Sequence, residues 1–439
     1  MQIIILALCP AVGKYYHQKN RVEFPQSTPP EIDGRAGAVL HLFIKTGLII
    51  RKQFGIIELS EHGAEGKILA IYFGMAVFLC AGSLLWSPQK LGQEEQTLHR
   101  LQTAFLLLAG LLFTAVATCR YGIGYDYFNY QKLYEELGPL PVSQLIHQPV
   151  AQKFLGYALF TRLAWVLGLN YRALLLVVNA ALTAIILWFV RRFSPLPWLS
   201  LYLYLTLQFF AHSMNLFRQS IAATICLLAY PFLKKRNFLA FAGVVLFASF
   251  FHLSALFFLP FYWVLNWKLD GRLLAVLGGA AAIIYLFSNQ TAKFLTQYLF
   301  QNYAGYIGSR YWRGLGYRYL ILPALYFAVV WLFRQRLIQQ EESNRQLISS
   351  AFYVFLLYGF STHHMILERF SIYLFLYAML LLPKLVVSFA PPKCRDKGAV
   401  IAAVLVVLFG FSYLMFASQQ GTNGFHKVYP YVGIWDNRG

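Results

Sequence analysis

Long apolar runs separated by short polar stretches fill most of the chain, from about residue 68 to residue 417. A helix needs ~20 mainly apolar residues to cross the hydrocarbon core of a membrane. The runs predict membrane segments at 68–86, 103–119, 171–190, 196–214, 218–233, 238–251, 253–267, 272–287, 319–333, 347–361, 370–389 and 399–417. We therefore predict an all-α, polytopic transmembrane protein with about 12 membrane segments, some of them short or broken.

The two ends of the chain differ from this pattern. The N-terminal stretch contains RVEFPQSTPPEIDGRAG, which is rich in proline and charge, and its flanking apolar pieces are short. We interpret it as a poorly defined leader, and a misassigned start near Lys67 is a further interpretation. The predicted division is a leader at 1–66, a polytopic membrane domain at 67–417 with external loops near 120–153 and 288–318, and a C-terminal tail at 418–439.

Composition supports a membrane protein and narrows its partners. Of the 439 residues, 59% are hydrophobic and 12% are charged, and the mean hydropathy is +0.54, so the lipid bilayer is an expected partner. The net charge of +20 comes from Lys and Arg in short clusters between apolar runs, which does not favour nucleic-acid binding. The five scattered cysteines are typical of packing residues.

Basic clusters between membrane segments predict the orientation, because Lys and Arg collect in cytoplasmic loops. These clusters are Arg191–Arg192, 234–236, Arg334 with Arg336, and 393–397. They share one side only if 238–267 is a hairpin of two short helices that turns near His252. A spanning segment at 154–169 would place 119–137 on that same side, but Arg162 inside a span would cost a few kcal/mol. We therefore interpret 154–169 as non-spanning, which places 119–137 outside.

This orientation places many arginines on the external face, where basic residues are normally depleted. They are Arg120, Arg218, Arg310, Arg313, Arg318 and Arg369. An anionic ligand is the simplest reason for such a group.

The motif CRYGIGYDYFNY, from Cys119 to Tyr130, follows an apolar run directly. Its two glycines allow a sharp turn, after which come Asp126, Tyr127 and Tyr130. A glycine-rich turn with interfacial tyrosines is one interpretation. The other makes Asp126 an acid, a base or a hydroxyl-orienting group beside rings that stack on a sugar. The spacing does not choose between them.

Two further motifs place polar groups at helix ends or breaks. Arg218 and Gln219 begin a helix of small and apolar residues, where a guanidinium and free N–H groups suit an anion. Alternatively, Arg218 reaches up to the lipid headgroups. His252 and Ser254 lie in an apolar stretch at the expected hairpin turn, either as a satisfied polar break or as groups that line a cavity.

Two later motifs also carry arginine. In GSRYWRGLGYRYL, Arg310, Arg313 and Arg318 alternate with aromatic residues, which suits either lipid headgroups or a phosphate-bearing glycan. Arg369 follows Glu368 at a predicted helix start, where a cation is unfavourable for the helix dipole. A bound anion or an ion pair with Glu368 would offset that cost.

The chain contains no P-loop, no Cys-x-x-Cys pair and no Gly-x-Ser-x-Gly motif. We therefore predict no metal site and no cofactor, and we do not expect ATP-driven transport.

Four motifs, in this order, resemble the EpsG-type branch of the Wzy polysaccharide polymerases, which make O-antigen, capsule or exopolysaccharide. They are Arg120 with Gly124, Asp126, Tyr127 and Tyr130; Arg218-Gln219; Phe251-His252 with Ser254-Ala255; and Glu368-Arg369-Phe370 with Tyr373 before Pro383. Tyr125 departs from the family, which usually has a small hydroxyl residue there.

The resemblance implies a metal-independent membrane glycosyltransferase of the bacterial inner membrane. It would join undecaprenyl-diphosphate-linked oligosaccharide units on the external face, with a flippase and a chain-length regulator as partner proteins. Arg218 and Arg369 would stabilise the departing diphosphate, and Asp126 or His252 would accept the proton. The predicted substrate-binding residues are Arg120, Tyr127, Tyr130, Gln219, Arg310, Arg313, Arg318 and Arg369.

Two other functions fit the same arginines. One is a glycan ligase that uses the same lipid-linked donor, and the other is a transporter or flippase for an anionic glycolipid. Many transporters have inverted repeats, and the sequence has no such symmetry.

Overall fold

The computed structural model describes residues 65–86, 95–294, 297–298, 308, 314–389, 397–418, 426–429 and 431–435. The regular structure in these ranges is helical, and the β-type pairing in them is an isolated antiparallel bridge between Arg120 and Gly433. The prediction of an all-α protein with short and broken segments is confirmed. Residues 1–64 of the predicted leader lie outside the described residues.

The first third of the described chain contains two long helices and several short ones. After α1 and a 3₁₀ turn, α2 has 24 residues and α7 has 23, so each is long enough to cross a membrane. The elements are α1 (Glu65–Ala81), a 3₁₀ helix (Gly82–Trp86), α2 (Glu95–Thr118), α3 (Tyr127–Leu137), α4 (Val142–Leu145), α5 (Pro149–Lys153), α6 (Leu155–Val166) and α7 (Tyr171–Phe193).

Helices α2 and α7 pack antiparallel. At one end Asn179 donates a 3.3 Å hydrogen bond to Thr118, and at the other Arg191 lies 3.2 Å from a ring nitrogen of His99. The segment 119–170 therefore leaves and returns to the same end of the bundle. Helix α6, which has only 12 residues, does not cross it, and Arg162 on that helix donates a 2.7 Å bond to the carbonyl of Gly138.

The middle third forms much of the core from broken helices. Predicted segment 196–214 breaks at Gln208, whose φ of +69° is left-handed, and 218–233 breaks just before Pro231. The elements are α8 (Pro197–Thr206), α9 (Phe209–Asn215), α10 (Phe217–Leu227), α11 (Tyr230–Lys234), α12 (Phe238–Ser249), a 3₁₀ helix (Leu253–Phe258), α13 (Phe261–Val264), α14 (Gly271–Leu286) and α15 (Ser288–Phe294).

The predicted turn near His252 is present. Ring centroids of Phe241 and Phe258 lie 5.2 Å apart, and those of Phe238 and Tyr262 lie 5.1 Å apart, so the chain reverses direction between α12 and the following 3₁₀ helix. His252 lies at this reversal, with its Nδ1 atom 3.3 Å from the backbone nitrogen of Ser254. The hairpin holds this histidine where two short helices meet.

The last third contains two bent helix pairs. Its elements are a 3₁₀ helix (Tyr317–Leu320), α16 (Ile321–Leu332), α17 (Arg334–Gln340), α18 (Asn344–Ser361), a 3₁₀ helix (Met365–Leu367), α19 (Glu368–Phe375), α20 (Ala378–Ser388) and α21 (Lys397–Ser418). The segment ending in α16 meets α17 at 63°, and the segment ending in α19 meets α20 at 55°. Within the described ranges, α2, α7 and α21 are each long and apolar enough to span a membrane. If each bent pair counts as one span, the number of candidate spans in these ranges rises to five.

The described basic loops gather at one end of the bundle. Lys234 and Lys384 each lie 2.5 Å from a carboxylate oxygen of Glu341, and the Lys234 ammonium is 5.9 Å from the ring of Phe193. Arg336 packs 5.0 Å from the ring of Phe389. Residues 393–396 of the last basic cluster lie outside the described residues. This common end is what the orientation argument requires, and the assignment of that end to the cytoplasm stays a prediction.

A labelling experiment tests the orientation. A cysteine placed at Asn129 or Gly308 is expected to react with an impermeant thiol reagent added outside intact cells, whereas one at the exposed Asn237 is expected to react only after the membrane is opened. The measurement is the labelled fraction of each variant before and after permeabilisation. Labelling of Asn129 only after permeabilisation would reverse the predicted orientation.

Candidate functional site

The loop 119–126 turns sharply after α2 and rests on the break between α9 and α10. Gly122 and Gly124 have φ values of +62° and +91°, which glycine adopts without a steric penalty. A Cβ atom on Gly124 would lie 2.8 Å from the carbonyl oxygen of Met214. The Tyr125 N–H donates a 2.9 Å hydrogen bond to the Asn215 side chain. The loop is therefore held against the start of α10, where Arg218 lies.

This close approach predicts a specific effect of one methyl group. Gly124→Ala adds a positive-φ penalty and a clash with backbone, and overpacking of this kind costs about 1–3 kcal/mol. Gly168→Ala is the matched control, because Gly168 has φ +69° and a Cβ atom there would meet nothing within 4 Å in the described part of the chain. We expect Gly124→Ala to lower thermal stability in detergent well below that of the control. Equal behaviour of the two variants would contradict tight docking of the loop.

Arg120 is buried in this loop, with 2% of its surface exposed. Its guanidinium donates to the Ala117 carbonyl and lies 5.8 Å from the ring of Tyr127 and 6.0 Å from that of Phe217. Its Nε atom has no hydrogen-bond partner in the described part of the chain, and no carboxylate there forms a salt bridge with it. A buried cation without a counter-charge is costly, so this position suits an anion.

Arg218 lies in the first turn of α10, surrounded by rings. Its guanidinium carbon is 4.0 Å from the ring centroid of Phe154, 5.5 Å from that of Tyr130 and 5.7 Å from that of Tyr157. The Nε atom is buried and lacks a partner among the described residues. Phe217 links the surroundings of the two arginines. Its ring lies 6.0 Å from the guanidinium of Arg120 and 5.5 Å from the ring of Tyr130, which in turn contacts Arg218.

His252 approaches the same group of rings from the α12 hairpin. Its imidazole stacks on Phe154 with a centroid distance of 5.2 Å, so Phe154 contacts both His252 and Arg218. The Nδ1 atom lies 2.6 Å from the Ser254 hydroxyl, which lies 2.7 Å from the hydroxyl of Tyr373. This chain of hydrogen bonds fixes the ring. Nε2 lies outside it and can accept a proton in the tautomer that carries its hydrogen on Nδ1 and donates it to the Ser254 hydroxyl.

Helix α19 joins the site through Gln219. The Gln219 side chain donates a 2.6 Å hydrogen bond to the Arg369 carbonyl, and both Arg369 and Arg218 lie close enough to His252 to act on its charge. Beside Arg369, the buried carboxyl of Glu368 accepts a 3.2 Å bond from Tyr358. The structure thus brings the second, third and fourth sequence motifs together.

Asp126 is half-buried just before α3, and its contact with the arginines runs through Tyr130. The Tyr130 hydroxyl accepts a 3.4 Å hydrogen bond from the backbone N–H of Arg218. The charge of Asp126 acts on the same hydroxyl. The described chain contains no salt bridge from Asp126 to an arginine, and Asn129 donates a weak 3.5 Å bond to its carboxylate. Asp126 and His252 thus approach the Arg218 region from two sides.

The remaining predicted arginines lie elsewhere or cannot be placed. Arg318 is exposed and packs 5.1 Å from the ring of Tyr319 and 6.0 Å from that of Phe416. Arg310 and Arg313 lie outside the described residues. The cluster of Arg120, Arg218, Arg369, His252 and Asp126 therefore forms the candidate site.

Comparison with known families gives a match over most of the chain. The model of the EpsG family matches residues 103–432, a range that includes every residue of the candidate site. The chain belongs to the EpsG family. No curated protein and no solved structure matches it.

The match extends into the C-terminal segment, which sequence reasoning treated only as a tail. In this EpsG-family protein, residues 426–429 and 431–435, here called the strap, run along the loop after α2. The Tyr121 N–H donates to the Val432 carbonyl at 2.9 Å, the Gly124 N–H to the Lys427 carbonyl at 3.0 Å, and the Ile434 N–H to the Cys119 carbonyl at 3.0 Å. The strap thus covers Arg120.

The strap also carries a histidine into the interior. The ring of His426 lies 5.6 Å from that of His212, and its Nδ1 atom lies 3.4 Å from the side-chain nitrogen of Asn215. Burial, and after it the charge of Arg369, lowers the pKa of His426 to about 3, so the ring is neutral at physiological pH. His212, Asn215 and His426 had no motif that marked them, because their neighbours are distant in sequence.

Buried histidines such as His212 and His426 raise the question of a metal site. Within the described residues, no group of three or more His, Cys, Asp or Glu side chains is placed to hold a metal ion. In this EpsG-family site the positive charge comes from the arginines.

Proposed function

We propose that this membrane protein polymerises undecaprenyl-diphosphate-linked oligosaccharide repeat units into a surface polysaccharide on the external face of the bacterial inner membrane. One observation carries the proposal. Arg120 and Arg218 lie in adjoining aromatic surroundings, and neither forms a salt bridge with a carboxylate in the described chain. A diphosphate would supply the missing negative charge, and Arg is well suited to it because its planar fork binds two phosphate oxygens at once.

The proposed reaction is a glycosyl transfer. A hydroxyl of one lipid-linked unit attacks the anomeric carbon of the reducing-end sugar of the growing chain. A glycosidic C–O bond forms, the C–O bond to the diphosphate breaks, and undecaprenyl diphosphate leaves with the electron pair. Negative charge grows on the leaving diphosphate, so prepositioned arginines, Arg218 and Arg369 first, stabilise the transition state without a metal ion.

The attacking hydroxyl loses a proton, for which the site has two acceptors. In one version of the mechanism His252 accepts the proton at Nε2, in the tautomer whose Nδ1–H donates to the Ser254 hydroxyl. The Asp126 carboxylate is the acceptor in the other. Asp126→Asn and His252→Gln separate them: the variant that removes the base should lose far more activity than the other, and equal losses would leave both groups in the mechanism.

Deletion of the gene tests the proposed function directly. The surface glycan of the deletion strain is expected to stop at one repeat unit, still attached to its normal carrier. If long chains persist, the protein is not the polymerase. Long chains that remain on the lipid carrier would indicate a ligase, and lipid-linked units retained inside the cell would indicate a flippase. Complementation with the intact gene should restore the chain lengths.

A further inference from the structure

An open groove of about 650 Å³ lies beside the candidate site, formed by the loop after α2, helix α3 and the turn between α6 and α7. None of the motifs that carry the family resemblance lies at the turn between α6 and α7. Its size is that of sites that bind small organic molecules or a few sugar units.

Five aromatic rings form a continuous row along this groove. Tyr121 contacts Tyr127 with a centroid distance of 6.0 Å, and Tyr127 contacts Tyr171 at 5.8 Å. Tyr171 then contacts Tyr134 at 6.0 Å, and Tyr134 contacts Trp165 at 5.5 Å. Every ring therefore lies within stacking range of the next one.

The row begins at the buried arginine. Tyr127, the second ring, is the one that lies 5.8 Å from the guanidinium of Arg120, whereas Trp165 at the far end is 39% exposed. The row of rings therefore connects the surroundings of Arg120 with the protein surface at Trp165. A chain of sugars attached to a diphosphate at Arg120 would follow the same path.

Polar side chains accompany the rings. Gln131 donates a 3.1 Å hydrogen bond to Glu135 on the next turn of α3, and both lie in the groove wall with Asn170 and Arg172. Rings that only anchor helices in a membrane interface need no such lining. Amide and charged groups beside aromatic faces suit a ligand with apolar C–H faces and hydroxyl edges, which describes a sugar.

We propose that this groove binds the sugars of the lipid-linked glycan next to its diphosphate. The proposal rests on the proposed polymerase function and adds a binding site to it. Tyr121, Tyr171 and Trp165, which keep exposed surface, stack on sugar faces, and the buried Tyr127 and Tyr134 pack against them. Arg172 and the amide side chains bind hydroxyl or carboxylate groups of the same sugars. By holding the growing chain between additions, the groove raises the number of units added before release.

Variants at Trp165 test the groove. Trp165→Ala removes the outermost ring, and the loss of one stacking contact is expected to shorten the modal length of the surface glycan by about 3- to 10-fold. Trp165→Phe should restore most of the length, whereas Trp165→Leu, which is apolar but not aromatic, should not. Arg172→Ala, an exposed position, should also shorten the chains. Each variant is measured for chain-length distribution and for protein level in the membrane.

Trp188→Ala is the matched control, because Trp188 on α7 is 41% exposed and packs against Phe193 at the opposite end of the bundle. It should leave the chain length unchanged. The groove proposal is overturned if Trp165→Ala and Arg172→Ala both give normal chains, or if Trp165→Leu restores length as well as Trp165→Phe. The gene-deletion strain, run in parallel, separates this failure from that of the proposed function: polymer in the deletion strain rejects the polymerase itself.

Discussion

Replacing Arg218 by lysine is expected to lower the polymerisation rate by ~30- to 1000-fold, which corresponds to about 2–4 kcal/mol of transition-state stabilisation. Lysine keeps the positive charge but loses the planar fork and the stacking on Phe154, 4.0 Å from the guanidinium. The measurement is the chain-length distribution of the surface glycan, together with the amount of variant protein in the membrane.

Arg191→Lys is the matched control for this prediction. Arg191 lies at the opposite end of α7, is exposed and contacts His99, so it belongs only to the basic end of the bundle. The same chemical change should therefore have almost no effect there. Normal polymer from a well-expressed Arg218→Lys protein would show that Arg218 does not bind the leaving diphosphate.

Removal of the strap is expected to abolish polymerisation. Ending the chain at Gln420 removes three backbone hydrogen bonds to the loop after α2, worth ~1 kcal/mol each. The equilibrium constant for the native position of the loop would therefore fall about 100-fold. It also uncovers Arg120. The helices should still insert, because the strap contributes none of the long apolar segments. The measurements are membrane protein level and glycan chain length.

A shorter truncation separates the strap from chain length as such. Deleting only residues 436–439 leaves the hydrogen bonds of Lys427, Val432 and Ile434 in place, so this variant should polymerise normally. Long polymer from a well-inserted protein that ends at Gln420 would show that the strap has no part in the function.

Most of the helices could be predicted from the sequence, but their breaks could not. The apolar run at 196–214 reads as one span because hydropathy averages over ~20 residues, whereas the left-handed φ of Gln208 is a single-residue feature set by packing. The non-spanning interpretation of 154–169 depended on Arg162, which in the fold donates a hydrogen bond to the Gly138 carbonyl. The sequence was informative there because the free-energy cost of placing a charge in lipid depends on that one residue and not on distant contacts.

The candidate site was predictable only in part, and for a similar reason. Arg120, Asp126, Arg218, His252 and Arg369 stood out because polar groups are rare in apolar surroundings. Trp165 and the strap did not stand out, because an interfacial tryptophan and a polar tail are ordinary features of membrane proteins.

The sequence by itself determined that the chain is an all-α membrane protein, which end of each segment carries the basic loops, and which arginines are candidates for binding an anion. These properties follow from the interaction of each residue with lipid or water, so they can be read along the chain. Only the tertiary structure decided that Phe154 contacts both Arg218 and His252, that five rings line a groove beside Arg120, and that the strap covers the loop after α2. Those arrangements depend on contacts between distant residues, and hydropathy carries no information about which distant residues meet.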